Sequence, residues 1–218
     1  MFYTEVVNEQ LQKPFFVDTR NKESQGTFLY TAQTKRFVST LDQSCFDVLP
    51  ITKKGIAEFA NTYFGCPSNR LTVIGVTGTN GKTSSVYYLK QALEALGKHV
   101  LSIGTLTHQL TTPDSWELQQ LFLDHVNAGG THVVMEVSSH GIDQCRVLGL
   151  DFNVTLLTNI SQDHLDYHHS MQAYEATKLG FMAKGRSAAI FPEDFELVEL
   201  PFAKQTAFQS LNMKATKA

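Results

Sequence analysis

The apolar residues of this chain change rhythm near residue 70. Before that point they come in short bursts. F-F-V at 15–17 and T-F-L-Y at 27–30 read as strands on either side of a polar turn at 21–26. I-A-E-F-A-N-T-Y-F at 56–64 has helical spacing, and Gly65-Cys66-Pro67 stops it. Beyond residue 70 the pattern is regular. L-T-V-I-G-V at 71–76 is a continuous apolar run, as expected of a strand buried on both faces of a parallel sheet. Val86, Leu89, Leu93 and Leu96 then lie along one face of a helix that Gly97 ends. A strand is predicted at 100–103. Pro113 and Asp114 open the next helix, with Asp114 placed ahead of Glu117 as in a capping box. Its stripe is Leu118, Leu121, Phe122, His125 and Val126, closed by Gly129-Gly130. Strands at 132–137 and 152–158, a helix at 171–183 and a short strand at 188–191 complete the pattern.

Strands alternating with helices predict an α/β fold: a mostly parallel sheet with flanking helices, preceded by a small α+β N-terminal unit. The boundaries fall at 1–68 for that unit, 69–192 for the central domain and 193–218 for a tail. The first unit has a thin core and is expected to lean on the central domain. The tail is expected to be frayed or disordered, because 204–218 is polar and carries no core pattern.

In sheets of this kind ligands bind beyond the carboxyl ends of the strands, and the polar clusters fall there. V-T-G-T-N-G-K-T-S at 76–84 reads as a phosphate cradle. Gly78 and Gly81 let successive N–H groups of Thr79, Asn80 and their neighbours point at one spot, and the helix N-terminus adds partial positive charge. Lys82 supplies a mobile cation for terminal phosphates, the Thr83 hydroxyl is placed to ligate Mg²⁺, and Ser84 comes next in the chain. The spacing G-x-x-G-K-T is shorter than the usual one, although Gly75 stands earlier in the run. A glycine-rich turn that merely packs is the alternative, and Lys-Thr at the helix start argues against it. In M-E-V-S-S-H-G, Glu136 is either a second Mg²⁺ contact or a solvated strand-end carboxylate. T-N-I-S-Q-D-H-L-D-Y-H-H at 158–169 could be read as a zinc loop, but no cysteine helps. A hard cation held by one histidine plus carboxylate oxygens is more economical beside a nucleotide loop. His169 is the best candidate for a mere turn former. Lys178, in A-Y-E-A-T-K, taken alone is an exposed helical lysine.

Composition narrows the setting. Hydrophobic residues are 42%, charged residues 18% and the net charge is −3, an ordinary globular balance with no basic excess to suggest nucleic acid. The three cysteines have no C-x-x-C spacing, which argues for a reducing, cytoplasmic setting. The N-terminal residues lack the pattern of a signal peptide, and no apolar stretch has membrane-spanning length, so no membrane partner is expected.

V-T-G-T-N-G-K-T-S, T-T-P-D, M-E-V-S-S-H-G, T-N-I-S-Q-D-H-L-D-Y-H and A-Y-E-A-T-K, in this order, resemble the Mur ligases of peptidoglycan synthesis, in their MurE-type branch. The resemblance runs from about Asn61 to Met182. A weaker echo, V-D-T-R at 17–20 with G-T-F-L-Y at 26–30, is similar to a shortened form of the family's UDP-binding N-terminal unit. The resemblance implies an ATP- and Mg²⁺-dependent ligase. It would add meso-diaminopimelate or L-lysine to UDP-MurNAc-L-Ala-D-Glu through an acyl phosphate. It implies roles as well. Residues 78–84 would hold the ATP phosphates, Thr83 and Glu136 one Mg²⁺, and His164 a second. Thr111, Thr112, Ser138, Gln144 and Arg146 would bind the UDP-MurNAc-dipeptide. Lys178 falls where the family carries a carbamylated lysine, a modification that turns a cation into an anionic oxygen ligand. Lys82, His164 and Lys178 would thus be the catalytic set. The sequence departs from the family at Leu110, where asparagine is usual. It also carries no D-N-P-R, the motif of the family's amino-acid-recognising C-terminal domain. Activity would then depend on that domain, supplied by a second chain, or on its being dispensable. The alternatives are a nucleotide- or UDP-sugar-binding protein without catalysis, and a general P-loop NTPase, which leaves T-T-P and S-S-H-G-x-x-Q-C-R unexplained.

Overall fold

The computed structural model describes residues 15–17, 26–41, 44–192 and 205–208. The early apolar bursts form β1 (Phe15–Phe16) and β2 (Gly26–Tyr30), and most of the predicted turn between them lies outside the described residues. A strand the sequence pattern did not announce, β3 (Phe46–Pro50), joins them in a three-stranded parallel sheet in the order β1-β2-β3. The next element is α1 (Lys53–Tyr63). It starts before the predicted stripe because the Thr52 side chain accepts from Gly55 N at 2.9 Å. Left-handed Gly65 (φ 72°) and Cys66 (φ 52°) then end it.

The regular part of the chain alternates as expected: β4 (Thr72–Thr77), α2 (Lys82–Ala95), β5 (Val100–Ile103), α3 (Ser115–Asn127), β6 (His132–Glu136), α4 (Ser139–Asp143), β7 (Phe152–Leu157), α5 (Leu165–His168), α6 (Met171–Met182), β8 (Gly185–Pro192) and β9 (Gln205–Phe208). The short helices α4 and α5 lie within stretches read from the sequence as loops. The strands make one six-stranded sheet, order β5-β6-β4-β7-β8-β9, with every pairing parallel. The expectation of a wholly frayed tail is corrected by β9. It pairs with Ala189–Pro192 and covers backbone groups that the outer edge of β8 would otherwise leave open.

Alternation along β4 explains why its sequence is apolar throughout. Val73 packs with Leu118, Phe122 and Phe181 on one face, while Ile74 and Val76 meet Val86, Leu89 and Leu93 of α2 on the other. Gly75 belongs to this packing and not to the phosphate loop. A Cβ there would come within 2.6 Å of Phe181 Cζ and 2.7 Å of Phe152 Cε1. Two details of the predicted pattern fail. Leu96 lies just past the last helical residue of α2 and is 73% exposed, so the buried stripe stops at Leu93. Asp114 is the N-cap of α3 but makes no capping hydrogen bond; its carboxylate faces Arg146 instead. The small sheet is tied to the large one through α1 and α3. Trp116 stacks on Phe59 and Tyr63 (centroids 6.1 and 5.2 Å), and Gln119 Nε2 donates to Asn61 Oδ1 at 3.2 Å.

Candidate active site

Strand order decides where the polar loops meet. From β4 the chain passes through α2 to β5, two places away. It returns to fill the gap with β6, then crosses β4 to β7 on its other side. The connections therefore diverge at β4, which leaves a crevice at the carboxyl ends of β6, β4 and β7. Glu136, residues 78–81 and residues 158–164 are delivered there by those strands.

The phosphate loop turns through Gly78 (φ 144°) and Gly81 (φ 82°), and a side chain at 78 would collide with the Thr158 hydroxyl. The loop after β7 braces it. Thr79 N donates to Asn159 O (3.0 Å), Asn80 N to Asn159 Oδ1 (3.1 Å), and Thr158 Oγ1 to Asn80 O (2.6 Å). The Thr79 hydroxyl accepts from Ser161 N (3.0 Å) and lies 3.0 Å from Tyr174 Oη. Gly81 offers α2 no capping side chain, so the first amides of the helix face the loop unsatisfied by a cap, which is how helix ends receive phosphate. Lys82 Nζ folds back onto Gly78 O and Thr79 O, both at 2.8 Å. Burial lowers its pKa, against the raising influence of Glu136 and Asp163. Ser84 is exposed on the first turn.

Glu136 is 1% exposed, so it is not a solvated strand-end carboxylate. Thr83 Oγ1 donates to Oε2 (2.9 Å), while Thr105 N and Oγ1 both donate to Oε1 (2.9 and 3.0 Å). The two hydroxyl oxygens stand 3.1 Å apart. Only glycine fits at 104, since a Cβ would press into Glu136 Oε1. With both hydroxyl protons directed to the carboxylate, this is a hard, all-oxygen donor set at the head of a phosphate-binding helix. Such a set fits Mg²⁺, which needs only one or two carboxylates and takes its remaining oxygens from phosphate and water. Sequence reasoning missed Gly104 and Thr105, although G-T comes directly after a strand, the same position that marks the other site residues.

The D-H-L-D-Y-H-H segment does not assemble zinc ligands: among the described residues no group of three or more His, Cys, Asp or Glu side chains is arranged to hold a metal. His164 is left-handed (φ 50°), its Nε2 is 3.4 Å from Asp163 Oδ2, and its ring packs edge-on against His140 at 4.8 Å. Its ring centroid lies 6.3 Å from that of Tyr174. His169 (φ 64°) terminates α5, as suits a turn former.

Lys178 overturns the exposed-helix reading. It lies on the buried face of α6 with Tyr174 and Phe181 and is 1% exposed. Its Nζ donates to Gly78 O at 2.8 Å and sits 4.6 Å over the Tyr174 ring. Two lysine amines thus converge on one carbonyl. Burial first, then the neighbouring Lys82 charge, pushes the Lys178 amine down to about 7, against a raising influence from Asp163. Both lowering influences favour the neutral amine over the ammonium.

The remaining candidates meet at α4. Thr112, fully buried, accepts from Ser138 N (2.9 Å) and lies 3.0 Å from Glu136 O. Ser138 Oγ caps α4 by accepting from Gly141 N (3.1 Å). Arg146 Nη1 donates to Thr112 O and Nη2 to Gln144 Oε1, both at 2.7 Å. Arg146 Nε is 3.2 Å from Asp114 Oδ1, an ion pair whose direction is not that of a hydrogen bond. Thr111 is half-buried beside them. Gln144, Arg146 and Asp114 line a cleft of about 400 Å³ together with Trp116 and with Leu29, Gln33, Thr34 and Lys53 of the N-terminal unit.

A glycine-rich loop at a helix N-terminus, a buried carboxylate beside its threonine and an arginine-lined cleft define a P-loop α/β domain. A sequence model of the Mur ligase middle domain matches residues 76–214, and the chain belongs to the Mur ligase family. It is 41% identical over 166 residues to the UDP-N-acetylmuramoyl-L-alanyl-D-glutamate–2,6-diaminopimelate ligase of Nitrosomonas europaea, covering 72% of this chain and 32% of that protein. It is 43% identical over 156 residues to the enzyme of the same description from Pseudomonas putida, covering 63% and 32%. The chain therefore spans about a third of the length of these relatives. A solved 2,6-diaminopimelate ligase structure superposes with a TM-score of 0.71 at 25% identity over 84% of this chain and 43% of the other. MurF from Thermotoga maritima, solved with ADP, shares the fold (TM-score 0.57, 19% identity, 84% and 45% covered). Among the described residues no helix is long and apolar enough to cross a membrane.

Proposed function

We infer that this chain carries the nucleotide and acceptor half of an ATP-dependent ligase that extends UDP-MurNAc-L-Ala-D-Glu by a diamino acid, meso-diaminopimelate or L-lysine. The observation carrying this reading is the buried Thr83–Glu136 pair at the mouth of the phosphate loop, with Lys82 and Lys178 directed at the same loop carbonyl. The acceptor's carboxylate would attack the γ-phosphorus, releasing ADP and leaving an acyl phosphate. The amine of the incoming amino acid would then displace phosphate and lose a proton as the amide forms. Lys82 would leave Gly78 O and Thr79 O to bind the terminal phosphates. The amides of residues 79–83 would receive the phosphate oxygens, and Arg146 with Gln144 would hold the anionic acceptor. Mg²⁺, bound among Thr83, Thr105 and Glu136, would neutralise charge on the transferring phosphoryl group. Lys178, reacting as the neutral amine with CO₂ to give a carbamate and a proton, would place an anionic oxygen ligand where two cations now crowd one carbonyl; His164 is the candidate for a second cation contact. UDP recognition falls to the cleft between Arg146 and the N-terminal unit.

The test is phosphate release on mixing the protein with ATP, Mg²⁺, UDP-MurNAc-L-Ala-D-Glu and either diamino acid. Turnover that depends on Lys82 supports the ligase reading. A second reading is a nucleotide- or UDP-sugar-binding protein without catalysis. Saturable binding of a non-hydrolysable ATP analogue and of the UDP-sugar, with no phosphate released, would select that second reading. Failure to bind either ligand sinks both.

A further inference from the structure

Tyr167 takes no part in the chemistry above, yet its hydroxyl stands at a junction. It donates to Asp143 Oδ2 at 2.6 Å and accepts from Gln144 Nε2 at 3.3 Å. Gln144 turns its other end, Oε1, to Arg146 Nη2 at 2.7 Å. The directions of these bonds are linked. Because the phenol proton goes to Asp143, only a lone pair is left for Gln144, and that selects the NH₂ end of the amide. The carbonyl end must then face the guanidinium, which has donors only. If the amide were free to flip, its NH₂ would meet the arginine donors head-on. Tyr167 thus sets the polarity of a relay that ends on a cation lining the cleft.

The same tyrosine belongs to α5, a single turn flanked by left-handed His164 and His169 (φ 50° and 64°). Non-glycine residues stay in that region only where their surroundings hold them. The Tyr167 ring packs against His140 of α4 at 4.1 Å, so ring and hydroxyl together fasten the β7 loop to the acceptor cluster.

We propose that Tyr167 is a positioning residue for the acceptor: through Gln144 it pre-orients the Arg146 guanidinium for an anionic ligand in the cleft. Arginine loses considerable rotamer freedom when it is fixed on binding, and a guanidinium already aligned loses less. This inference rests on the acceptor reading of the cleft.

The probe is UDP-MurNAc-L-Ala-D-Glu, titrated by calorimetry and followed by the fluorescence of Trp116, the chain's one tryptophan, which lines the cleft. Tyr167→Phe keeps the ring packing and removes the relay. It is expected to raise the Kd about 5-fold, what a net hydrogen bond is worth, with the Kd for an ATP analogue and the Tm unmoved. Asp143→Ala, at an exposed site, should weaken the same Kd in the same direction, because the phenol loses its acceptor and its proton is free to turn toward Gln144. In Gln144→Leu the relay is already cut, so adding Tyr167→Phe should change nothing further. Wild-type affinity in Tyr167→Phe, or effects of Gln144→Leu and Tyr167→Phe that multiply independently, would overturn the proposal while leaving the acceptor reading intact. No binding of the probe by the unaltered chain would overturn both.

Discussion

The two ends of the central sheet bury polar groups by different means. At the carboxyl end Glu136, Thr112 and Lys178 are held by partners from other strands and loops: Thr83 and Thr105 on Glu136, Ser138 on Thr112, the Gly78 carbonyl on Lys178. At the opposite end His125 of α3 is 8% exposed, and its Nε2 lies 3.0 Å from the carbonyl of His132. Its ring packs edge-on to His99 at 4.9 Å, and glycine at 130 leaves room for it. The foot thus satisfies its buried imidazole with backbone a few residues away and one neighbouring ring. The mouth places a carboxylate and two amines together, each dependent on a loop that could move. Groups held by their own local backbone do little but support the fold. Groups assembled from several strand ends can exchange partners for a ligand.

Four substitutions or titrations can break or sharpen that contrast. The largest effect is expected from Lys82→Ala, which should weaken ATP-analogue binding roughly 10- to 100-fold, in line with loss of hydrogen bonds to a charged group. Nucleotide affinity equal to that of the unaltered protein would remove the phosphate-loop assignment. Next, Glu136→Gln should abolish most of the gain in analogue affinity that Mg²⁺ provides. That loss should at least match the roughly 10- to 100-fold cost of removing an outer-shell partner, with binding in EDTA preserved. Isothermal titrations with and without the metal separate the two.

The third effect is a pH dependence. The Lys178 amine is lowered from 10.5 to about 7, so the neutral form dominates above about 7. In ¹³C-bicarbonate a carbamate resonance should grow as pH rises through that value and be absent in Lys178→Ala. A signal that appeared only near pH 10 would refute the lowered amine. Burial of this amine also links it to stability. Its contribution is fully present above the unfolded value of 10.5 and is lost as pH falls toward about 7, because in that window the unfolded chain's lysine takes up a proton and the buried one does not. The smallest effect belongs to the foot. Burial lowers the His125 pKa below 6.5, so its contribution is present above 6.5 and is lost as pH falls through the folded value. His125→Phe should flatten the drop in Tm between about pH 7 and pH 5 and leave ligand binding unchanged. A change in nucleotide affinity there would erase the distinction between the two ends.

Much of this was legible in the chain because it depends on local order. The periods of the apolar residues located β4 to β8 and α2, α3 and α6, since a strand buried on both faces admits few polar residues and a helix repeats its face every three or four. Gly78, Gly81, Lys82 and Thr83 were legible because a phosphate loop is built from consecutive residues. Thr105 and Gly104 were not, because Glu136 lies 31 residues beyond Thr105 and only the β5–β6 pairing sets them side by side. Nor was Tyr167, whose role depends on α5 folding back on α4. Lys178 shows the division most plainly. Its place on a helix could be read from the sequence, but helical spacing alone does not say which face is buried. The packing of α6 against β7 and the phosphate loop decided that this lysine lies 1% exposed on a glycine carbonyl. A buried amine beside another cation loses its proton far more readily than one in water. The sequence alone thus determined a glycine-rich loop between a strand and a helix of a parallel sheet. Only the tertiary structure decided that Glu136 and Lys178 are withdrawn from water and that Lys178 reaches a carbonyl of that loop, because both depend on contacts between residues far apart in the chain.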